Sequence, residues 1–312
     1  MTGISSAPAA ADLDPVHDGR HALRDLPLER ESMPYAISLP ELGIATCFYT
    51  WVTKDHVAGG LFVVCGPGAG DQPIVEHVDG VDVGPDANFD DWTVGPLHIE
   101  HDLELRTARL VGQGERIALD ATFEATHPAY SYGADPRGCP PFAATDRLEQ
   151  SGRVHGTVTV DGVTHEFDTT GARDHSWGTR DWDYAQHWKW VHAQSPGTDL
   201  HFWEIFDAGR REIRGYVVRD GHVALVQDVE VDFTVGDQHR QKTIAATVRD
   251  DAGRTVRLSG EYFAHFELPP VPTCTLVEGG MRCRIDGEPG AGWSEFMWPT
   301  GYLQHLQEQT HS

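Results

Sequence analysis

Between Gly171 and Tyr184 the chain reads Gly-Ala-Arg-Asp-His-Ser-Trp-Gly-Thr-Arg-Asp-Trp-Asp-Tyr, placing guanidiniums, carboxylates, an imidazole and indoles side by side. A plain turn between strands needs only Gly, Asn, Asp or Ser. Charge this dense must be paired wherever it leaves water, so the stretch reads as an Arg/Asp/His/Trp network at the mouth of a cavity. Its chemistry would be proton transfer. Asp174 hydrogen-bonded to the His175 ring would fix the tautomer and make His175 a base or a water-orienting group. Ser176 is a poor nucleophile candidate: neighbours on an extended strand point to opposite sides, and no Gly-x-Ser-x-Gly elbow occurs. Arg173 and Arg180 each precede an Asp and read as bidentate staples, since arginine does not exchange protons near neutrality.

Five of the nine tryptophans, Trp177, Trp182, Trp188, Trp190 and Trp203, fall within this region and the strands that follow. Such rings can stabilise a developing carbocation without attacking it, or simply fill a core. Downstream, the alternation of His201-Phe202-Trp203-Glu204-Ile205-Phe206 puts Glu204 on one face with Phe202 and Phe206. A carboxyl in that setting is either an acid of raised pKa or the partner of a buried Arg or His. Eighteen histidines raise the question of a metal. His175, His187, His192 and His201 with Asp174 and Glu204 supply suitable atoms but no recognisable ligand spacing, so no metal is expected.

The elements positioning these groups are almost all strands. Apolar residues alternate from Leu97 to Arg106, from Ile117 to Phe123, and on both sides of Asp161-Gly162, a dipeptide suited to a tight hairpin. Short strands continue from Trp188 onward, punctuated by Ser195-Pro196-Gly197, Ala208-Gly209 and Asp220-Gly221. Only Gly301 to Gln309 invites a helix. This spacing predicts sandwiches or up-and-down barrels, with a boundary near residue 182 where the charged stretch interrupts the alternation. The expected organisation is a mobile tail at residues 1–30, an N-terminal β unit at 31–182 and a C-terminal one at 183–312. Cys65-Gly66-Pro67-Gly68-Ala69-Gly70 lacks a following helix start with Lys-Ser and reads as a surface loop.

With 48 acidic against 24 basic residues, the formal charge of -24 repels nucleic acid and anionic membranes and favours a neutral or apolar ligand. Five cysteines without CxxC spacing read as reduced, mostly buried thiols. The first thirty residues lack a signal-peptide pattern and no apolar run reaches membrane-span length, so a cytoplasmic location is expected. A homodimer is left open.

The run Gly-Ala-Arg-Asp-His-Ser-Trp-Gly at 171–178, preceded by Val-Asp-Gly and a Phe-containing strand, resembles the hydroxyneurosporene synthase (carotenoid 1,2-hydratase) and AttH-like superfamily. The resemblance implies two lipocalin-like antiparallel β domains in tandem. It also implies acid-base chemistry without a cofactor on an isoprenoid or similar apolar unsaturated molecule: hydration, dehydration, isomerisation or cyclisation. Carried onto this chain, the family's signature His and Trp are His175 and Trp177, and the acid of a following strand is Glu204 where the family has an aspartate. The expected assignments are therefore Glu204 as proton donor, His175 as base and Asp174 as its orienter. Trp177, Trp203, Phe202, Trp182, Trp188 and Trp190 would be the ligand-facing rings. The rival expectation is a carrier that binds such a ligand unchanged, in which Glu204 and Asp174 would be salt-bridged and turned away from the pocket.

Overall fold

Two-residue turns with left-handed backbone shape the sheets. Asp161-Gly162 (φ 47° and 81°) joins the two longest strands of the first sheet, Asp146–Val160 and Val163–Thr179, and Ala208-Gly209 and Asp220-Gly221 do the same later. Such turns match strand twist, which is why the Asp-Gly steps were legible as hairpins. The computed structural model describes residues 13–310.

Eleven strands between Glu29 and Thr179 form the first antiparallel sheet. Its middle runs Val57–Cys65, Ile44–Thr53, Glu29–Leu39, Val163–Thr179, Asp146–Val160 and Ile117–Ala125. The sheet curls over its own core of Met33, Tyr35, Phe48, Phe62, Trp92 and Phe123. The eight strands from His187–Ser195 to Glu288–Pro299 pair in chain order and close into a barrel, the first bonding the last. Val191, Phe202, Val217, Val248 and Phe296 fill it. The helix Thr300–Thr310 follows the last strand, at the place expected. The expected all-β, lipocalin-like architecture is thus present. No helix among the described residues is long and apolar enough to cross a membrane, and the five cysteines are free, four of them buried.

A third apolar cluster lies where the sheets face each other, and it holds Tyr130, Tyr132, Trp188, Trp190, Trp203 and Trp293. Each fully buried large side chain contributes about 1.5–3 kcal/mol, so this cluster binds the two sheets firmly.

Two expectations need correction. The alternation from Leu97 to Arg106 does not make one strand: pairing stops at His101, and Leu103 and Leu105 take φ of 53° and 59°. Asp102 Oδ1 holds this turn by accepting from the Glu104 and Arg106 amides at 2.9 and 3.3 Å. The tail expected at 1–30 lies outside the described residues for 1–12, but 13–28 are a strap and Glu29 begins a strand of the first sheet. Asp18, 0% exposed, accepts from Arg173 Nη1 at 2.9 Å and from the Leu105 amide at 2.9 Å, and sits 3.0 Å from His101 Nδ1. Arg173 is buried and needs a counter-charge, which this polar segment supplies.

Candidate active site

Strand alternation gives Val163–Thr179 two chemically different faces. Arg173, His175 and Trp177 point into the first sheet's interior; Ala172, Asp174 and Ser176 point toward the barrel. Asp174 and His175 therefore cannot pair, for the reason that separates His175 from Ser176. The His175 ring donates through Nε2 to Glu31 Oε1 at 2.7 Å and is 0% exposed. Burial holds its pKa below the usual value despite Glu31. Trp177 stacks on His21 at 3.7 Å and does not face the barrel. The assignment of His175 as base and Trp177 as ligand wall is corrected accordingly: both are sealed behind the strap.

Glu204 is also displaced. Its face of Thr198–Asp207 is the barrel interior, where it is 4% exposed and accepts from Lys189 Nζ at 2.9 Å and Arg211 Nε at 2.7 Å. Phe202 lies on the same inner face. Neither touches the cavity between the sheets; the alternation was read correctly, but the opposite face lines the cavity. Glu204→Ala is expected to cost about 3 kcal/mol of stability by stranding Lys189, while ligand-induced tryptophan quenching in the cavity stays at the wild-type level; chemical denaturation and fluorescence titration check both.

The cavity, about 360 Å³, lies between the sheets. Its lining includes Asp174, Trp182, Trp188, Trp190 and Trp203 from the expected set, joined by Trp51, Trp293, Arg30, Arg147, Arg180, Glu278 and Glu295. The barrel wall contributes one ladder row: Glu278 is paired with Glu295 across strands, Glu295 with Trp190, and Trp190 with Trp203. Asp174 and Arg147 face this row from the first sheet, with the Arg147 guanidinium 5.1 Å from the Trp203 ring. A wider groove of about 1190 Å³ opens elsewhere, and Glu41, Asp220, Asp232 and Glu261 on its lining are exposed.

The electrostatics turn on Arg147 serving two acids. It donates through Nε to Glu149 Oε1 at 2.7 Å and through Nη2 to Asp174 Oδ2 at 2.6 Å. Glu149 also accepts from Trp190 Nε1 at 2.9 Å and His192 Nε2 at 3.0 Å. Burial would raise its pKa, but Arg147, His201 and His192 outweigh it and hold Glu149 well below the carboxylate range. Asp174 is left with a share of one cation, so burial, together with the charges of Glu149 and Glu295, pushes it up to about 8. Across the cavity Glu278 accepts from Trp293 Nε1 at 2.6 Å and hydrogen-bonds to Glu295, which accepts from Trp188 Nε1 at 2.6 Å. Burial and the Glu295 charge push Glu278 well above its ordinary value. Two carboxyls whose surroundings favour the protonated form thus face one aromatic cavity. That is the arrangement general-acid chemistry needs.

Sequence reasoning missed Glu278 and Glu295 although a signal existed. Leu276-Val277-Glu278 and Trp293-Ser294-Glu295-Phe296-Met297 each put a carboxyl on an otherwise apolar face, the criterion that selected Glu204. Two histidine–carboxylate groups, His21 with Glu31 and His175, and Glu149 with His192 and His201, have donor atoms within 4.8 Å of one another. No spacing announced them. In the first, both rings lie 2.7 Å from Glu31 Oε1, and in the second Glu149 is already engaged by Arg147 and Trp190. The first is a hydrogen-bonded network inside the first sheet, and the second ties Glu149 of that sheet to His192 on the outer face of the barrel.

A family model described as a domain of unknown function, DUF7064, matches residues 14–300. The chain belongs to the DUF7064 family. No curated protein matches it. The fold of this DUF7064 chain is shared with an AttH-like protein, NE1406, from Nitrosomonas europaea, at TM-score 0.64 and 15% identity over 86% of this chain and 92% of that one. CghA, solved with Sch210972, superposes at TM-score 0.61 and 13% identity over 88% and 89% of the two chains. Kievitone hydratase from Nectria haematococca does so at TM-score 0.61 and 10% identity over 95% of each. The resemblance read from residues 171–184 therefore extends to the whole architecture of the DUF7064 chain.

Proposed function

We propose that the protein is an acid-base enzyme of the hydratase or cyclase type, acting on a small, largely apolar unsaturated molecule held in the cavity between the sheets. The observation that carries this reading is the placement of two buried carboxyls, Asp174 and Glu278, both with raised pKa, on a cavity walled by tryptophans. Asp174 would donate its proton to one carbon of a C=C bond, whose π electrons form the new C–H bond. The cation left on the other carbon would be stabilised by the faces of Trp190 and Trp203. Capture by water, which then returns a proton to the Asp174 carboxylate, gives hydration; capture by a second π bond of the same molecule forms a ring and moves the cation to a new carbon, whose loss of an adjacent proton to the Asp174 carboxylate completes cyclisation. Such chemistry asks nothing beyond the chain's own side chains. The shared fold with kievitone hydratase and with CghA bound to Sch210972 makes a hydratase or cyclase the natural comparison. An isoprenoid is one substrate class that suits the apolar walls.

A carrier role draws support from Glu204, which is ion-paired and away from the cavity; Asp174, which lines the cavity, favours the enzyme. Incubation with unsaturated terpenoids and polycyclic polyketides in heavy water separates the two. Deuterium appearing at a carbon of any bound compound is the expected result. Compounds that bind and quench tryptophan fluorescence yet never take up deuterium would establish the carrier instead.

A further inference from the structure

Two arginines on the cavity wall have no acid to pair with. Among the described buried arginines, Arg147 holds Glu149 and Asp174, Arg173 holds Asp18, and Arg214 reaches Glu212, whereas Arg180 has no carboxylate within ion-pair distance. Arg180 is 8% exposed, and its Nε and Nη2 donate only to the Ala143 carbonyl at 2.6 Å and the Ser176 hydroxyl at 2.8 Å. Arg30, half-buried beside it on the lining, donates through Nη2 to the Tyr49 hydroxyl at 2.6 Å, and its buried Nε has no acceptor. Both guanidiniums pack on the ring of Trp182, at 5.0 Å for Arg180 and 5.9 Å for Arg30. Trp203, also on the lining, keeps a buried indole N–H without an acceptor.

Burying a cation without a counter-ion is unfavourable, and aromatic faces offset only part of that cost. Burial and the neighbouring Arg147 push Arg180 down to about 10, so it stays charged at neutral pH. Asp174 and Glu278 lie beyond ion-pair distance of both guanidiniums in surroundings that disfavour their charged forms, while Asp79 at the rim is exposed. The cavity therefore has a positive end and a proton-donating end, and a neutral hydrocarbon would use only the second.

We infer that Arg30 and Arg180 form an anion-binding end of the cavity, so that the substrate carries an anionic oxygen, as a carboxylate or an enolate, attached to the apolar body that lies on the tryptophans. This rests on the reading of the cavity as a ligand site. The anchored oxygen would fix which carbon meets Asp174, giving regiochemistry to an acid that has none by itself.

Tryptophan quenching by matched ligand pairs tests it. 2-Naphthoate is compared with its methyl ester, and 4-hydroxycoumarin, an enolate at neutral pH, with 4-methoxycoumarin; the two pairs separate a carboxylate from an enolate preference. In at least one pair the anion is expected to bind about tenfold more tightly than its neutral partner, as a charge-assisted contact provides. Arg30→Gln should erase that difference while leaving the neutral ligand's Kd unchanged, and Arg30→Lys should keep most of it. Equal affinity of anion and neutral partner in both pairs, or an Arg30→Gln variant that weakens both members alike, overturns the anion site while the cavity stands. Absence of quenching by all four ligands removes the cavity reading and this inference together. The wild-type comparison and Arg30→Lys carry the test if circular dichroism shows Arg30→Gln to be unfolded.

Discussion

Asp174→Asn is expected to abolish proton transfer to bound substrate, by about 10²–10⁴-fold for loss of a general acid, while leaving the protein at least as stable as the wild type. The amide is nearly isosteric with the protonated carboxyl that burial and its neighbours favour, but it cannot donate an acidic proton. The pH dependence follows from the same shift. An acid catalyst works while it holds its proton, so wild-type turnover should be full below about 8, where Asp174 titrates, and fall as the pH rises through that value. Stability moves in the same sense. From the ordinary value of 3.8 up to about 8 the folded protein retains a proton that the unfolded chain has released, so the wild type is progressively destabilised as pH rises across that window. The amide that replaces the carboxyl does not titrate. The melting temperature of Asp174→Asn should therefore exceed that of the wild type at pH 8, with the gap closing toward pH 4. A variant that loses stability and keeps deuterium transfer would show that Asp174 is held for its bond to Arg147 and donates nothing.

Asp18→Ala is expected to damage the fold severely, costing about 3–5 kcal/mol because it leaves a buried guanidinium unpaired. Asp18 is the carboxylate that Arg173 and His101 meet inside the first sheet, and it also accepts from the Leu105 amide. Burial alone would raise its pKa, but Arg173 and His101 reverse the effect and hold it well below the carboxylate range. A depressed acid contributes stability above its unfolded pKa, near 3.8, and that contribution is lost as the pH falls below it. The difference between variant and wild type should be constant from pH 5 to pH 8 and shrink under strong acid. Urea unfolding at pH 7 and pH 3 measures both. Hydrogen exchange should also rise along residues 13–24, since the strap would lose its deepest anchor. A cost below about 1 kcal/mol, the range of an exposed pair, would place Arg173 in contact with solvent or with another acid.

The two effects separate the roles that the charged stretch at 171–180 combines. On one face of a single strand Arg173 and His175 hold the strap and the interior of the first sheet; on the other Asp174 meets the cavity. Replacements at alternate positions should thus alternate in consequence, from loss of stability to loss of chemistry.

Much of this was present in the order of the residues. Alternation and Asp-Gly turns require antiparallel strands, because a pleated strand sends successive side chains to opposite sides and only left-handed turns match the twist between neighbours. The same alternation separated His201, Trp203 and Ile205 from Phe202, Glu204 and Phe206, and that partition is the one observed. Local pattern says which residues share a face but not what the face meets. Glu204 and Trp203 are adjacent in the chain, yet one lies inside the barrel between Lys189 and Arg211 and the other outside it against Arg147. Only the packing of barrel on sheet decided that the outer face would line the cavity. Strand pairing and the strap within the first sheet brought Glu31 to His175 and Asp18 to Arg173, and the barrel brought Glu278 and Glu295 opposite Asp174, over separations that no local periodicity spans. The proton affinity of an acid is set by the water it has lost and by the charges around it, and both are properties of the assembled tertiary structure.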